Sequence, residues 1–140
     1  MIWNSLEKYR DVGLLILRVG FGVGFILYHG QGKLTGGPER WVKLGANMEL
    51  LGVDFWPTFW GFMIAMAETV FAFFIAVGFL FRPSLMILGF GMFVAWLSHV
   101  ISGNGNPGNA FKNFFVAAGL ILTGPGKYSV DEWLRNRRKS

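Results

Sequence analysis

The chain contains no cysteine, which excludes a disulfide, a dithiol relay, an iron–sulfur cluster on its own thiolates and a thiolate haem ligand. Any redox role must use a borrowed carrier. Charge is scarce too. Asp, Glu, Lys and Arg make up 15% of the 140 residues, against roughly 25% in an average soluble domain, too few to cover a globular surface, so a cytosolic enzyme is not expected. The 13 basic and 8 acidic residues leave a net charge of +5, but aromatic and aliphatic runs separate much of it, and nucleic acid is not an expected partner. Apolar side chains are what the chain has in excess: 53% hydrophobic and 17% aromatic, with a mean hydropathy of +0.45. The length allows one domain, and the composition makes lipid its solvent.

Four apolar segments predict an all-α membrane protein, a four-transmembrane-helix bundle. Residues 12–30 carry one charge, Arg18; residues 55–81 carry one, Glu68; residues 84–101 carry none and a single histidine, His99. Each is long enough to cross hydrocarbon about 30 Å thick at about 1.5 Å per residue. The fourth, 110–123, is shorter and holds Lys112. Basic residues favour counting it as a span. With four spans, Lys8, Arg10, Arg82, Lys127, Arg135, Arg137, Arg138 and Lys139 share one side, eight against the four of Lys33, Arg40, Lys43 and Lys112. The positive-inside rule then puts both termini in the cytoplasm.

Glu7 and Asp11, with no small-residue cleavage site after the first apolar run, argue against a cleavable signal, so the first span is expected to stay. Between the first two spans, Trp41, Val42, Leu44, Gly45, Met48 and Leu51 recur at helical spacing opposite Arg40, Lys43, Asn47 and Glu49, which predicts an amphipathic interfacial helix over 39–51. The other outward loop, 103–109, is rich in Gly and Asn that tolerate positive φ. The basic tail, 125–140, follows a Gly-Pro-Gly break and reads as an anchor on anionic lipid.

Buried charges are the chemistry-bearing positions. Arg or Glu at the centre of a span costs about 2.5 to 3.5 kcal/mol, and the apolar residues around Glu68, at about 0.3 to 0.6 kcal/mol each, offset it. The charge still needs a partner or a proton. At 100° per residue Arg18, His29 and Lys33 fall on one face of the first span, with Gly22 between them. Arg18 and Glu68 come out at depths about 9 Å apart, within joint reach of their side chains, and are expected to pair. Gly61, Ala65 and Ala72 give the second span a face that another helix can approach closely. His99 and Lys112 are expected at the same outward end as His29 and Lys33. Gly20, Gly22 and Gly24 lack the context of a nucleotide-binding loop and read as close helix packing.

The ordered set Arg18-x-x-x-Gly22, Tyr28-His29-Gly30-x-x-Lys33-Leu34, Glu68 and Gly78-x-x-x-Arg82, carried on four hydrophobic segments, resembles the DoxX family of small bacterial four-helix membrane proteins. That family is similar to the quinone-reducing membrane subunit of a thiosulfate:quinone oxidoreductase, and relatives accompany redox enzymes in membrane complexes. The resemblance implies functional roles for Arg18, His29, Lys33 and Glu68.

On that footing the expected function is a quinone-interacting subunit of a redox complex, dependent on a partner protein for electrons. His29 would donate to a quinone carbonyl, Lys33 and Arg18 would stabilise developing negative charge, and Glu68 would relay protons. His99, placed by geometry, and Trp60 and Trp96, with Trp56, would line the cofactor. The alternatives are a non-catalytic scaffold or anchor for a partner and, ranked below both, haem held between His29 and His99. A second copy of the chain is a further candidate partner, and no metal site is expected.

Overall fold

The computed structural model describes residues 3–139 and contains helices without any strand among them. Helix α1, Ser5–Leu34, is α-helical over Arg10–Phe25, widens into a π turn over Ile26–Gly30 and closes with Gln31–Leu34. Helix α2, Gly37–Gly45, has Pro38 in its first turn, where the missing N–H costs nothing, and tightens to a 3-10 stretch, Ala46–Leu51, stopped by Gly52 at φ +77. Helix α3, Pro57–Val77, carries a second π turn at Ala67–Phe71. Helices α4, Phe81–Ser102, α5, Pro107–Thr123, and α6, Val130–Arg137, complete the chain. Helices α1, α3 and α4 are long and apolar enough to cross a membrane.

Boundaries follow local chemistry. The second apolar run was expected to continue through residue 81, but α3 ends at Val77 because Gly78 turns left-handed at φ +72. Helix α4 starts three residues before the expected 84, since Pro83 is tolerated in a first turn. Segment 39–51 is not one uniform helix: its second half is 3-10, and Gly45 lies so close to the Pro57 carbonyl that a Cβ would collide.

Helix α1 runs beside α3 and α2 also packs on α3, while α4 and α5 form the other close pair. Small residues allow the contacts. A Cβ on Gly22 would strike the Ala72 carbonyl and one on Gly61 the Trp41 carbonyl, which is the close approach expected of the Gly61, Ala65 and Ala72 face. Phe25, Ala72, Ile75, Phe81, Leu85, Leu88, Ala117 and Leu120 meet in the core between α1, α3, α4 and α5. Outside it lies an apolar coat that includes Ile16, Leu27, Phe73, Phe90 and Leu122, the last 84% exposed. Such a surface suits lipid rather than water.

Candidate functional site

Glu68 is buried, 1% exposed, and both its oxygens accept from Lys33 Nζ, at 2.7 and 2.6 Å. The pair joins α1 to α3 where their π turns face each other. Gly30 in one turn lies against the backbone carbonyl of Glu68 in the other, with no room for a Cβ. The Lys33 carbonyl accepts from Trp41 Nε1 at 2.9 Å, which ties α2 to the same point.

The expected Arg18–Glu68 pair does not form. Gly22 faces Ala72 and Ala76 while Gly30 faces Glu68, and this antiparallel register puts Arg18 beside Gly78. Gly78 is ten residues beyond Glu68, about 15 Å along the axis. Arg18, 1% exposed, donates instead through Nη1 to the Ala76 carbonyl at 2.6 Å and through Nη2 to the Tyr128 carbonyl.

His29 also leaves the expected stripe. A π turn advances less than 100° per residue, so the buried stripe of Arg18, Gly22 and Phe25 continues at Gly30. His29 is turned to α5, where Nε2 lies 3.2 Å from Asn109 Nδ2. With the amide as donor, Nε2 accepts and Nδ1 carries the proton; Nδ1 is buried and has no partner. Beside the ring is a cavity of about 200 Å³ lined by Gly20, Phe21, Gly24, Tyr28, Asn109 and Asn113. Gly20 and Gly24 therefore do not serve close helix packing: a Cβ on either meets nothing within 4 Å. Of the three glycines only Gly22 points at α3.

Other expected residues lie elsewhere. The His99 ring packs on Gly105, whose φ of +82 bends the loop around it, and Lys112 is exposed. Trp60 bonds the Phe55 carbonyl at 3.0 Å and lines a separate apolar groove of about 410 Å³ between α3 and α4. Trp96 stacks near Phe93 and Phe111 between α4 and α5. Among the described residues no cluster of three or more His, Asp or Glu side chains makes a metal site.

Asn109, Asn113 and the tail contacts were not anticipated. The turn-rich loop concealed Asn109 as a side chain that reaches back to α1. For the tail there was a signal: Ser129-Val-Asp-Glu132 is a capping-box pattern, and Ser129 Oγ does accept from Glu132 N at 3.3 Å. Behind that cap, Asp131 accepts from Leu80 N and Phe81 N, both at 2.9 Å, and so closes the start of α4.

The ordered charges of α1 and α3 have their counterpart in comparison with known proteins, where the DoxX family profile matches residues 13–100. The chain belongs to the DoxX family. It is similar to the inner membrane protein YqjF of Escherichia coli strain K12, with 33% identity over 139 residues, covering 94% of this chain and 99% of the relative. No solved structure matches it. The match covers Arg18, His29, Lys33, Glu68 and His99, whereas Asn109 and Asp131 lie beyond it. In this DoxX chain, then, the partners of the buried groups come partly from outside the matched region.

Proposed function

We propose that this DoxX protein is a quinone-interacting subunit of a redox complex in the bacterial inner membrane, with the quinone head in the cavity beside His29. The observation that carries this reading is the buried, unpartnered Nδ1 of His29 next to a cavity lined by Asn109, Asn113 and Tyr28. A quinone supplies two carbonyl acceptors and takes up two electrons and two protons, the electrons coming from a partner subunit. His29 Nδ1–H would donate to a quinone carbonyl, and Asn113 and Tyr28 offer further donors. Lys33, one helical turn from His29, and Glu68 form the nearest proton-bearing pair. The Gly61, Ala65 and Ala72 face is filled by α1 and α2, so a quinone tail would run along Gly20 and Gly24.

The topology belongs to the same reading. Helix α5, about 25 Å long at 1.5 Å per residue, acts as a fourth span that brings both termini to the cytoplasmic side. Segment 37–51 lies at the opposite interface with Trp41 and Met48 turned to α3. A reporter fused after Ser140 should be active only as a cytoplasmic reporter; periplasmic activity overturns the orientation.

Protein purified with its native lipids should retain quinone. His29→Ala should weaken retention by one hydrogen bond, about 1 kcal/mol or roughly fivefold, and Lys43→Ala, on the exposed side of α2, should not change it. A second reading, a non-catalytic scaffold, is favoured by the internal partners of Arg18 and Glu68. Quinone absent from the wild-type protein and from its native complex, with the partner still bound, selects the scaffold.

A further inference from the structure

The end of the bundle that carries both termini has a second polar cleft, far from His29 and independent of the quinone reading. Its volume is about 360 Å³, and its lining includes Arg82, Pro125, Glu132 and Arg135. The acids there are occupied: both Asp131 oxygens accept from backbone N–H groups, and Glu132 pairs with Arg135 at 2.6 Å. Arg82 donates Nε to the Ile121 carbonyl at 2.9 Å, and among the described residues its Nη1 and Nη2 have no partner. Ile121 is also the rim of an apolar groove of about 450 Å³ between α4 and α5, floored by Gly89, Ala117 and Ala118. Leu85 and Met86, one turn after Arg82, form its near wall. A guanidinium with open donors thus stands where a hydrocarbon groove begins.

We propose that this cleft and groove hold one anionic phospholipid, its phosphate between Arg82 and Arg135 and one acyl chain along Gly89 and Ala118. Guanidinium groups match a phosphate geometrically. Net charge points the same way, since residues 125–139 hold five basic and two acidic side chains. Basic pockets at a helix junction are a known mode of lipid headgroup recognition. The tail therefore contributes a discrete site in addition to diffuse attraction to a charged surface.

The test is native mass spectrometry of the full chain, equilibrated in mild detergent with equal amounts of phosphatidylglycerol and phosphatidylcholine. The wild-type protein should keep one phosphatidylglycerol in preference to phosphatidylcholine. Arg82→Gln should reduce that retention about tenfold, the scale of one charge-assisted hydrogen bond. Arg135→Gln should act in the same direction without touching the bond to Ile121, which separates ligand loss from local unfolding. Gly89→Leu should reduce retention by filling the groove, while the triple variant Arg137→Gln/Arg138→Gln/Lys139→Gln should keep the lipid. Equal retention of both lipids, or loss in the triple variant with Arg82→Gln unaffected, overturns the site. So does a groove closed by a second copy of the chain, seen as a dimer that Gly89→Leu dissociates.

Discussion

The two ends of the bundle solve the same problem with different partners. At the C-terminal end of α1, beside the π turn of α3, the buried Glu68 carboxylate meets a full opposite charge on Lys33. At the end with the termini, Arg18 is equally buried yet meets only carbonyl dipoles, Ala76 and Tyr128, and Asp131 and Asp11 accept from backbone N–H groups of Leu80, Phe81 and Lys127. A charge-to-charge pair needs two particular side chains. A charge-to-backbone bond needs only a chain segment brought to the right place, and here that segment is the tail. The contrast explains why the tail is folded against the bundle, with Arg18, Asp11 and Asp131 as its attachments.

Removing one partner at each end should have the largest effects. Lys33→Met leaves the Glu68 carboxylate buried and uncompensated, which should cost about 3 to 5 kcal/mol in detergent unfolding. The double variant Lys33→Met/Glu68→Leu should recover most of that loss. Combining Arg18→Leu with Glu68→Leu should give additive losses within about 0.5 kcal/mol, as for separated sites. Strong coupling in the second cycle would mean that the two ends communicate and are not independent solutions.

Next in size is the tail attachment. Asp131→Ala removes two hydrogen bonds to an ionised acceptor, each worth about 1.5 to 3 kcal/mol when intact and less where water reaches it. We expect a loss of about 2 kcal/mol and faster trypsin cleavage at Lys127, measured in intact proteoliposomes or detergent. Unchanged cleavage would show that Arg18 and Asp11 hold the tail without Asp131. Ser129→Ala, at the N-cap of α6, should cost about 1 kcal/mol, and its effect on tail cleavage should be smaller than that of Asp131→Ala. The reverse order would place the anchor in the cap.

What the sequence made legible follows from which kinds of partner leave a pattern in it. Apolar runs announce helices, and α3 and α4 lie where they were expected to within a few residues. Side-chain charges announce themselves too, so Arg18, Lys33 and Glu68 were identifiable as residues that need partners. Their actual partners were not, for two physical reasons. A straight 3.6-residue count ignores the π turns at Ile26–Gly30 and Ala67–Phe71, and these turns rotate His29 off the Arg18 stripe and bring Gly30 against Glu68. Backbone carbonyls, moreover, are the same at every position, so nothing in the order of side chains points Arg18 to Ala76 and Tyr128. Gly20, Gly22 and Gly24 show the same blindness: identical in type and two residues apart, they differ only in what stands opposite.

Gly22 and Gly24 carry that difference into a pair of variants, and Gly24→Ala has the smallest expected effect on stability of any proposed above. Gly22→Ala should be destabilising by about 1 to 3 kcal/mol, because its methyl collides with the Ala72 carbonyl and comes to 2.9 Å from Ala76 Cβ. Gly24→Ala should leave unfolding unchanged or slightly favoured, since its methyl meets nothing within 4 Å and alanine is the better helix former. Gly24 does line the His29 cavity, so Gly24→Leu should lower quinone retention although the helix packing it leaves behind is intact. Equal destabilisation by Gly22→Ala and Gly24→Ala would mean that both faces of α1 are packed and that the His29 cavity is closed in the membrane. Retention unaffected by Gly24→Leu, with His29→Ala still weakening it, would move the quinone tail away from α1 and leave the head where it is.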